Sequence, residues 1–264
     1  MTPLLQAPRA VVLASGSAGN VLLLEAGATR ILVDAGLSAE AIERALGEIG
    51  VDPQGLAAIL LTHEHDDHAR AAGPLGRAFG IRVMATAATV AAAGASLSGA
   101  AITPFATARP FQVGPFEVTA FPVSHDAADP VGFAFQVGRH RIAVATDLGS
   151  ADEALDPYLS GADLVILESN YDLRLLNVSA YPWFLKNRIL GRKGHLSNDD
   201  AARALARTAA ERTRTVCLAH LSEVNNLAAL ARDTALAAIA RRGGPANHVI
   251  AVPPNGRMGA IVLE

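Results

Sequence analysis

Apolar positions in this chain fall into short runs broken by glycine-rich turns, a pattern that predicts strands before helices. Residues 11–14, 20–25 and 30–33 are three such runs, separated by the turns around Gly16-Ser17-Ala18-Gly19 and Ala26-Gly27. The period then changes: Ala41, Ile42, Ala45, Leu46 and Ile49 recur on one face behind a Ser38 cap, so a helix runs to about residue 49. Residues 56–61 predict a buried strand that ends at a histidine cluster. Residues 81–85 predict another, followed by an Ala-rich helix from about Thr86. A second group of strands covers 116–123, 131–137 and 141–145. Alternation follows, with a helix at 151–159, a strand at 163–168 and a helix at 198–208 capped by Ser197. Next come a strand at 215–219, a helix at 225–240 and closing strands at 248–252 and 260–263. Two strand-rich halves, each finished by helix–strand alternation, imply two packed sheets with helices outside, in one domain spanning residues 1–264. Residues 171–194 carry no clear period and are expected to be irregular; such stretches often carry function.

Composition narrows the class. Hydrophobic residues make up 51% and charged residues 18% of 264, the balance of a globular chain with a sizeable core. The net charge of −3 gives no global footprint for nucleic acid, and aromatics at 5% argue against an extensive base-stacking surface. The lone Cys217 excludes an internal disulfide and reads as a small core residue of a strand. No apolar run reaches the length of a membrane span, and the cytoplasm is the expected location.

Candidate chemistry concentrates at strand ends. His63-Glu64-His65-Asp66-Asp67-His68 follows the strand at 56–61; His63 and His65, two apart, can converge on one ion, and Asp67 and His68 can address a second. His125, Asp147 and His220 each follow a later strand. A donor set of imidazole and carboxylate without thiolate suits Zn, Mn or Fe in an open, hydrolytic site. His140 and His248, in a turn and at a strand start, read as non-ligands.

The motif of His63, His65, Asp67 and His68, with the later His125, Asp147 and His220 in order, resembles the metallo-β-lactamase superfamily. The resemblance implies an α/β (α+β) chain folded as a four-layer αββα sandwich. It also implies two divalent ions, one on His63, His65 and His125, the other on Asp67, His68 and His220, bridged by Asp147. Glu168, ending a strand, and His195, in Gly194-His195-Leu196-Ser197-Asn198, look like the acidic residue and downstream histidine of phosphodiesterase members such as the tRNA-processing ribonuclease Z group. There the histidine protonates the leaving group. A His paired with Glu is raised in pKa and can supply that proton.

The resemblance tightens over nearly the whole chain. Leu13-Ala14-Ser15-Gly16-Ser17-Ala18-Gly19-Asn20, Ser124-His125-Asp126-Ala127, Glu168-Ser169-Asn170, Tyr181-Pro182-Trp183-Phe184-Leu185-Lys186 and Leu218-Ala219-His220-Leu221-Ser222 together look like the YycJ/WalJ group, bacterial proteins of this fold described as 5′-to-3′ DNA exonucleases. The implied reading is a dinuclear metal-dependent phosphodiesterase with DNA as substrate and with Asp67, Glu168 and His195 in the catalytic machinery. Substrate contacts are expected from Ser15, Ser17, Asn20, Asn170 and Tyr171, from Lys186 and Arg188 of the basic segment, and from Ser197 at a helix start. Tyr171 stands where the group commonly has His and is expected to hydrogen-bond or stack on a base. The interval from Asp147 to His220 is short for an extra clamp domain, so the basic segment is left to grip DNA. The rivals are a small-molecule (cyclic) phosphodiesterase, which mild acidity favours, and a non-catalytic, metal-stabilised binding protein.

Overall fold

The computed structural model describes residues 7–243 and 248–263. The first sheet begins as a meander of β1 (Arg9–Ser15), β2 (Val21–Ala26) and β3 (Thr29–Val33) and continues in parallel through β4 (Leu56–Leu60), β5 (Arg82–Thr86) and β6 (Ile102–Phe105). The second begins as a meander of β7 (Phe111–Val113), β8 (Phe116–Pro122), β9 (Val131–Val137) and β10 (His140–Ala145). It continues in parallel through β11 (Leu164–Glu168), β12 (Thr215–Ala219) and β13 (His248–Ala251). The last strand, β14 (Gly256–Val262), crosses back to pair antiparallel with β1, so among the described residues each sheet has seven strands. The expected closing strands are therefore not neighbours: they end in different sheets.

The strands alternate between two cores, as a period of two dictates. Leu22, Leu24, Ile31, Val33 and Leu60 point inward to meet Phe133, Phe135, Ile142, Val144 and Ile166 of the other sheet. Their sequence neighbours Leu23, Leu32, Ile59 and Leu61 point outward beneath α1 (Ala39–Glu48) and α3 (Ala72–Phe79). On the far side Val165, Leu167, Val216 and Leu218 pack beneath α8 (Asn198–Thr208) and α9 (Ala228–Arg241). Helix, sheet, sheet and helix thus form four layers. Strands buried on both faces read as continuous apolar runs, which is why the sequence pattern reveals them. Cys217 lies in the inter-sheet core, where burial pushes its thiol up to about 12.

Three expectations change. Residues 171–194 are not irregular; they fold into α6 (Leu173–Val178), capped by the Asp172 carboxylate, and α7 (Trp183–Leu190), opened by Pro182. Both helices are short and leave apolar side chains in solvent, so no buried stripe marks them. The helix expected over 151–159 shrinks to a 3-10 turn and α5 (Asp156–Leu159), because Pro157 can sit only in a first helical turn. Strands β6 and β7 and helix α3, which carries Gly73, Pro74 and Gly76, are additions to the expected elements. The remaining helices are α2 (Asp66–Ala69), holding His68, and α4 (Ala87–Ala93), capped by Thr86.

A histidine and carboxylate centre at the lip of both sheets

Six of the eight histidines meet where strands of both sheets end. His63 and His65 leave β4, His125 leaves β8, Asp147 leaves β10, Glu168 ends β11 and His220 leaves β12. Neighbouring imidazoles lie 4.2 to 5.8 Å apart, centre to centre. Of the five described non-glycine residues with positive φ, three are here: Asp34 (61°), Asp147 (55°) and His220 (56°). Each such residue costs on the order of 1–3 kcal/mol and persists only where its surroundings hold it. The holds are present: the Ser15 hydroxyl accepts from His220 N at 2.7 Å, Leu60 O accepts from Asp34 N at 2.8 Å, and Glu168 Oε2 accepts from Leu148 N at 2.8 Å. Gly36 lets α2 approach, since a Cβ there would stand 1.7 Å from Asp67 O.

The side chains fit a pair of metal ions. Ligand atoms of His63, His65 and His125 lie within 4.8 Å of one another, as do those of Asp67, His68 and His220, and Asp147 groups with His63 and His68. Four rings have one nitrogen already engaged: His63 Nδ1 with Thr62 Oγ1 (2.9 Å), His68 Nδ1 with Asp34 Oδ2 (2.7 Å), His125 Nδ1 with Gly194 O (3.1 Å) and His220 Nδ1 with Glu168 Oε1 (3.0 Å). Such partners orient a metal-binding imidazole and leave Nε2 to the ion. Among the described residues, His220 Nε2 and Asp147 Oδ2 are buried without a hydrogen-bond partner, a costly state that bound cations would relieve. His68 Nε2 forms a close ion pair with Asp147 Oδ2, 2.6 Å away. Glu168 and His195 also cluster with Asp147 and His220, through the Nδ1 atoms that bond Glu168, which makes this a hydrogen-bond network rather than another ion site.

Electrostatics follow from this crowding. Burial, followed by the charge of His68, drives His63 well below the ordinary imidazole range, which keeps it neutral as a ligand must be. Burial also opposes charge on His68, His195 and His220, but carboxylates outweigh it. Asp147 and Asp34 hold His68 well above normal, Glu168 and Asp147 do so for His195, and Asp147 leads in lifting His220 to about 9. Burial pushes Asp147 up, yet His220 and His68 prevail and its carboxyl lies well below the usual range.

The centre opens into a cavity of about 310 Å³, lined also by Ser17, Asn170, Tyr181, Leu185, Arg188 and Ile189. His195 faces it with 24% of its side chain exposed, its Nδ1 2.7 Å from Glu168 Oε1 and 3.3 Å from Asp147 Oδ1. Asp67 also lines it. Of the expected substrate contacts, Ser17, Asn170 and Arg188 reach the cavity, Arg188 paired to Asp126 at 2.9 Å. The others are engaged elsewhere. Ser15 holds the His220 backbone, and Asn20 bonds Gly16 N (2.9 Å) and stands 3.0 Å from His68 Nε2. Lys186 Nζ donates to Asn177 O and Ser179 O, and Ser197 caps α8. Tyr171 is buried against Leu176 and Ile189, so it presents no face to a base; burial lifts its hydroxyl to about 12. Sequence reasoning missed Asp34, Thr62, Asp126 and the Gly194 carbonyl. Asp34 carries a usable signal, an acid directly after the apolar strand at 30–33, on the same sheet edge as His63.

Residues 29–220 match the Beta-lactamase superfamily domain. Two face-to-face sheets with this centre at their lip define a metal-dependent hydrolase of metallo-β-lactamase fold. Exodeoxyribonuclease YycJ of Bacillus anthracis is 37% identical over 236 residues, covering 88% of this chain and 89% of the relative. Exodeoxyribonuclease WalJ of Streptococcus pneumoniae serotype 2 is 38% identical over 228 residues, covering 84% and 85%. The chain belongs to the beta-lactamase superfamily and, within it, to the YycJ/WalJ family. Among solved structures, the metallo-β-lactamase fold protein YhfI from Bacillus subtilis superposes with a TM-score of 0.73 at 18% identity, over 96% of this chain and 99% of that one, a likeness of fold. Among the described residues no helix is long and apolar enough to cross a membrane.

Proposed function

We propose that this protein, as one domain over residues 1–264, is a dinuclear metal-dependent phosphodiesterase that degrades DNA from its 5′ end. The observation that carries the reading is the Glu168–His195 pair, 2.7 Å apart, set beside the metal ligands and facing the cavity. The names of its exodeoxyribonuclease relatives support the same substrate class. His63, His65 and His125 would hold one divalent ion, Asp67, His68 and His220 the other, with Asp147 shared; Zn and Mn suit this donor set, and Fe is compatible. Such ions supply positive charge at phosphoryl oxygens and a nucleophile at neutral pH.

The chain's own residues do the rest. Glu168 accepts from His195 Nδ1, which directs Nε2 and its proton to the leaving oxygen, a contribution typically of about 10²–10⁴ in rate. Asp126 steadies Arg188 at the cavity wall, where its remaining N–H groups can bind phosphate. A cavity of about 310 Å³ takes one small ligand rather than a duplex, which suits removal of one terminal nucleotide at a time, in cytoplasmic DNA repair for instance. The same small volume favours the second reading, a small (cyclic) phosphodiester as substrate.

The test is hydrolysis of 5′-phosphorylated DNA and, separately, of a cyclic dinucleotide, with Mn or Zn, by wild type, Asp67→Ala and His195→Ala. DNA is expected to be degraded by the wild type alone. Fast cleavage of the small ester with DNA intact would replace the exonuclease reading by the second one. Full activity of His195→Ala would remove the proton-donor role.

A further inference from the structure

The twelve aromatic residues of the Phe, Tyr and Trp types are almost all inside or half-buried. Two large ones stand in solvent, Trp183 at 71% and Phe184 at 75% exposure, and they are consecutive. They open α7 directly beside the proposed active site. Tyr181 before them and Leu185 after them line the cavity, as do Arg188 and Ile189 one turn further on. Ile189 anchors the helix against Tyr171 and Leu176, while Trp183 and Phe184 belong to none of the apolar clusters of the described residues. Nothing among the described residues therefore needs these rings where they are. Two large apolar side chains held in water are a standing cost unless a ligand covers them.

The surroundings say which ligand. Residues 171–194 hold Arg174, Lys186, Arg188, Arg192 and Lys193 against the single carboxylate of Asp172, in a chain whose net charge is −3. Asp172 is occupied in capping α6, and Lys186 in bonding two carbonyls; Arg174 and Lys193 are exposed on the segment that carries the two rings, as is Arg192, whose only ion pair among the described residues is an exposed 4.0 Å contact with Asp152. Aromatic faces on a segment of exposed cations are the pattern of single-stranded nucleic-acid grooves, where bases stack and phosphates pair. A neutral apolar partner would leave Arg174 and Lys193 unmatched.

We propose that Trp183 and Phe184 form a base-stacking platform at the mouth of the cavity, which takes the unpaired nucleotides next to the one in the active site. The inference rests on the phosphodiesterase reading and narrows its substrate to DNA ends with unstacked bases. The 310 Å³ cavity holds one terminal unit, and the strand that follows must leave across the rim. The start of α7, beside the cavity-lining Tyr181 and Leu185, supplies that rim. Stacking is sequence-tolerant, so no preference among bases is expected beyond stacking strength.

Trp183 is the only tryptophan, so its fluorescence reports on the platform directly. Full-length, Zn-loaded protein is titrated with a phosphorothioate oligothymidylate that resists hydrolysis, and with an abasic oligomer of the same length and charge. Quenching by the first and not by the second is expected. Affinity for the labelled thymidylate should fall on the order of tenfold or more in the Trp183→Ala/Phe184→Ala double variant and be largely kept in Trp183→Phe. Hydrolysis of bis(p-nitrophenyl) phosphate, which is too short to reach the rim, should be unchanged in both. Equal binding of the abasic oligomer, or unchanged affinity in the double variant, overturns the platform. So does a dimer that the double variant dissociates without altered DNA affinity, since the face would then belong to a second copy. A wild type that shows base-dependent quenching but cleaves no phosphodiester removes the phosphodiesterase reading and leaves the platform standing.

Discussion

Replacing Glu168 with Gln removes one charge from a completely buried position and tests how the centre is organised. Oε1 lies 2.7 Å from His195 Nδ1 and 3.0 Å from His220 Nδ1, while Oε2 accepts from Leu148 N at 2.8 Å and Leu196 N at 3.2 Å. Glutamine has the same shape but only one acceptor oxygen. If that oxygen stays with the two backbone amides, its NH₂ faces both imidazoles, and Nδ1 must accept rather than donate. His195 then loses the largest of the interactions that hold it charged against burial. Hydrogen bonds to a charged partner contribute roughly 1.5–3 kcal/mol each, so weakening those to Leu148 and Leu196 should destabilise the protein by about 2–4 kcal/mol in total. Turnover of DNA should fall by about 10²–10⁴, the usual share of a general acid, with little change in KM. His195 is raised above its ordinary value, so its proton persists into alkaline solution. Without Glu168 the alkaline limb of the pH–rate profile should move to lower pH. The assay is steady-state DNA hydrolysis from about pH 6 to 10, spanning the ordinary and the raised imidazole ranges, with metal content measured for each variant because His220 also leans on Glu168. Glu168→Gln and His195→Ala should lose similar factors, and the double variant little more, as groups acting as a unit do. An unshifted alkaline limb at full metal content, or additive losses, would refute the pairing.

Asp34→Asn should weaken metal binding by about 10–100-fold, because Asp34 Oδ2 orients His68 at 2.7 Å; competition with a chelator measures it, and unchanged affinity would mean the pair only packs. In metal-free protein His220 titrates near 9 and His68 is also raised, so both are charged at neutral pH and metal must displace their protons. Metal affinity should therefore climb as pH rises towards 9, with proton release visible by calorimetry in buffers of different ionisation enthalpy. The stability of the metal-free protein should run the opposite way. A folded pKa raised from about 6.5 to about 9 contributes most below 6.5 and is lost as pH rises through 9, so melting temperature should fall across that window. Cys217, buried between the sheets and pushed up to about 12, should not react with a disulfide reagent at about pH 8 until the protein unfolds; fast labelling of the native state would place it elsewhere.

Much of the centre is legible in the residue order because its parts obey local rules. An apolar run buried on both faces announces a strand, and a ligand-type residue at its end announces the lip of a sheet. His63, His65, His125, Asp147, Glu168 and His220 sit at such places; His68 lies in the short helix that follows and His195 in the loop before α8, and all eight come together. Polar residues close to the site in sequence do not, by that closeness, face the substrate. Ser15, Asn20 and Ser197 are consumed by the backbone and by α8, and Lys186 by two carbonyls, for buried or half-buried donors and acceptors must be paired first. Tyr171 turns inward because Leu176 and Ile189 give it an apolar bed.

The residue order alone therefore determined the layers, the strand ends and the candidate ligands, since each depends on near neighbours and a period of two or of about 3.6. Only the tertiary structure decided which nitrogen of each imidazole faces the centre, that Asp34 stands behind His68, and that Trp183 and Phe184 remain in water beside the cavity. Those outcomes depend on contacts between residues far apart in the chain, and no local pattern encodes them.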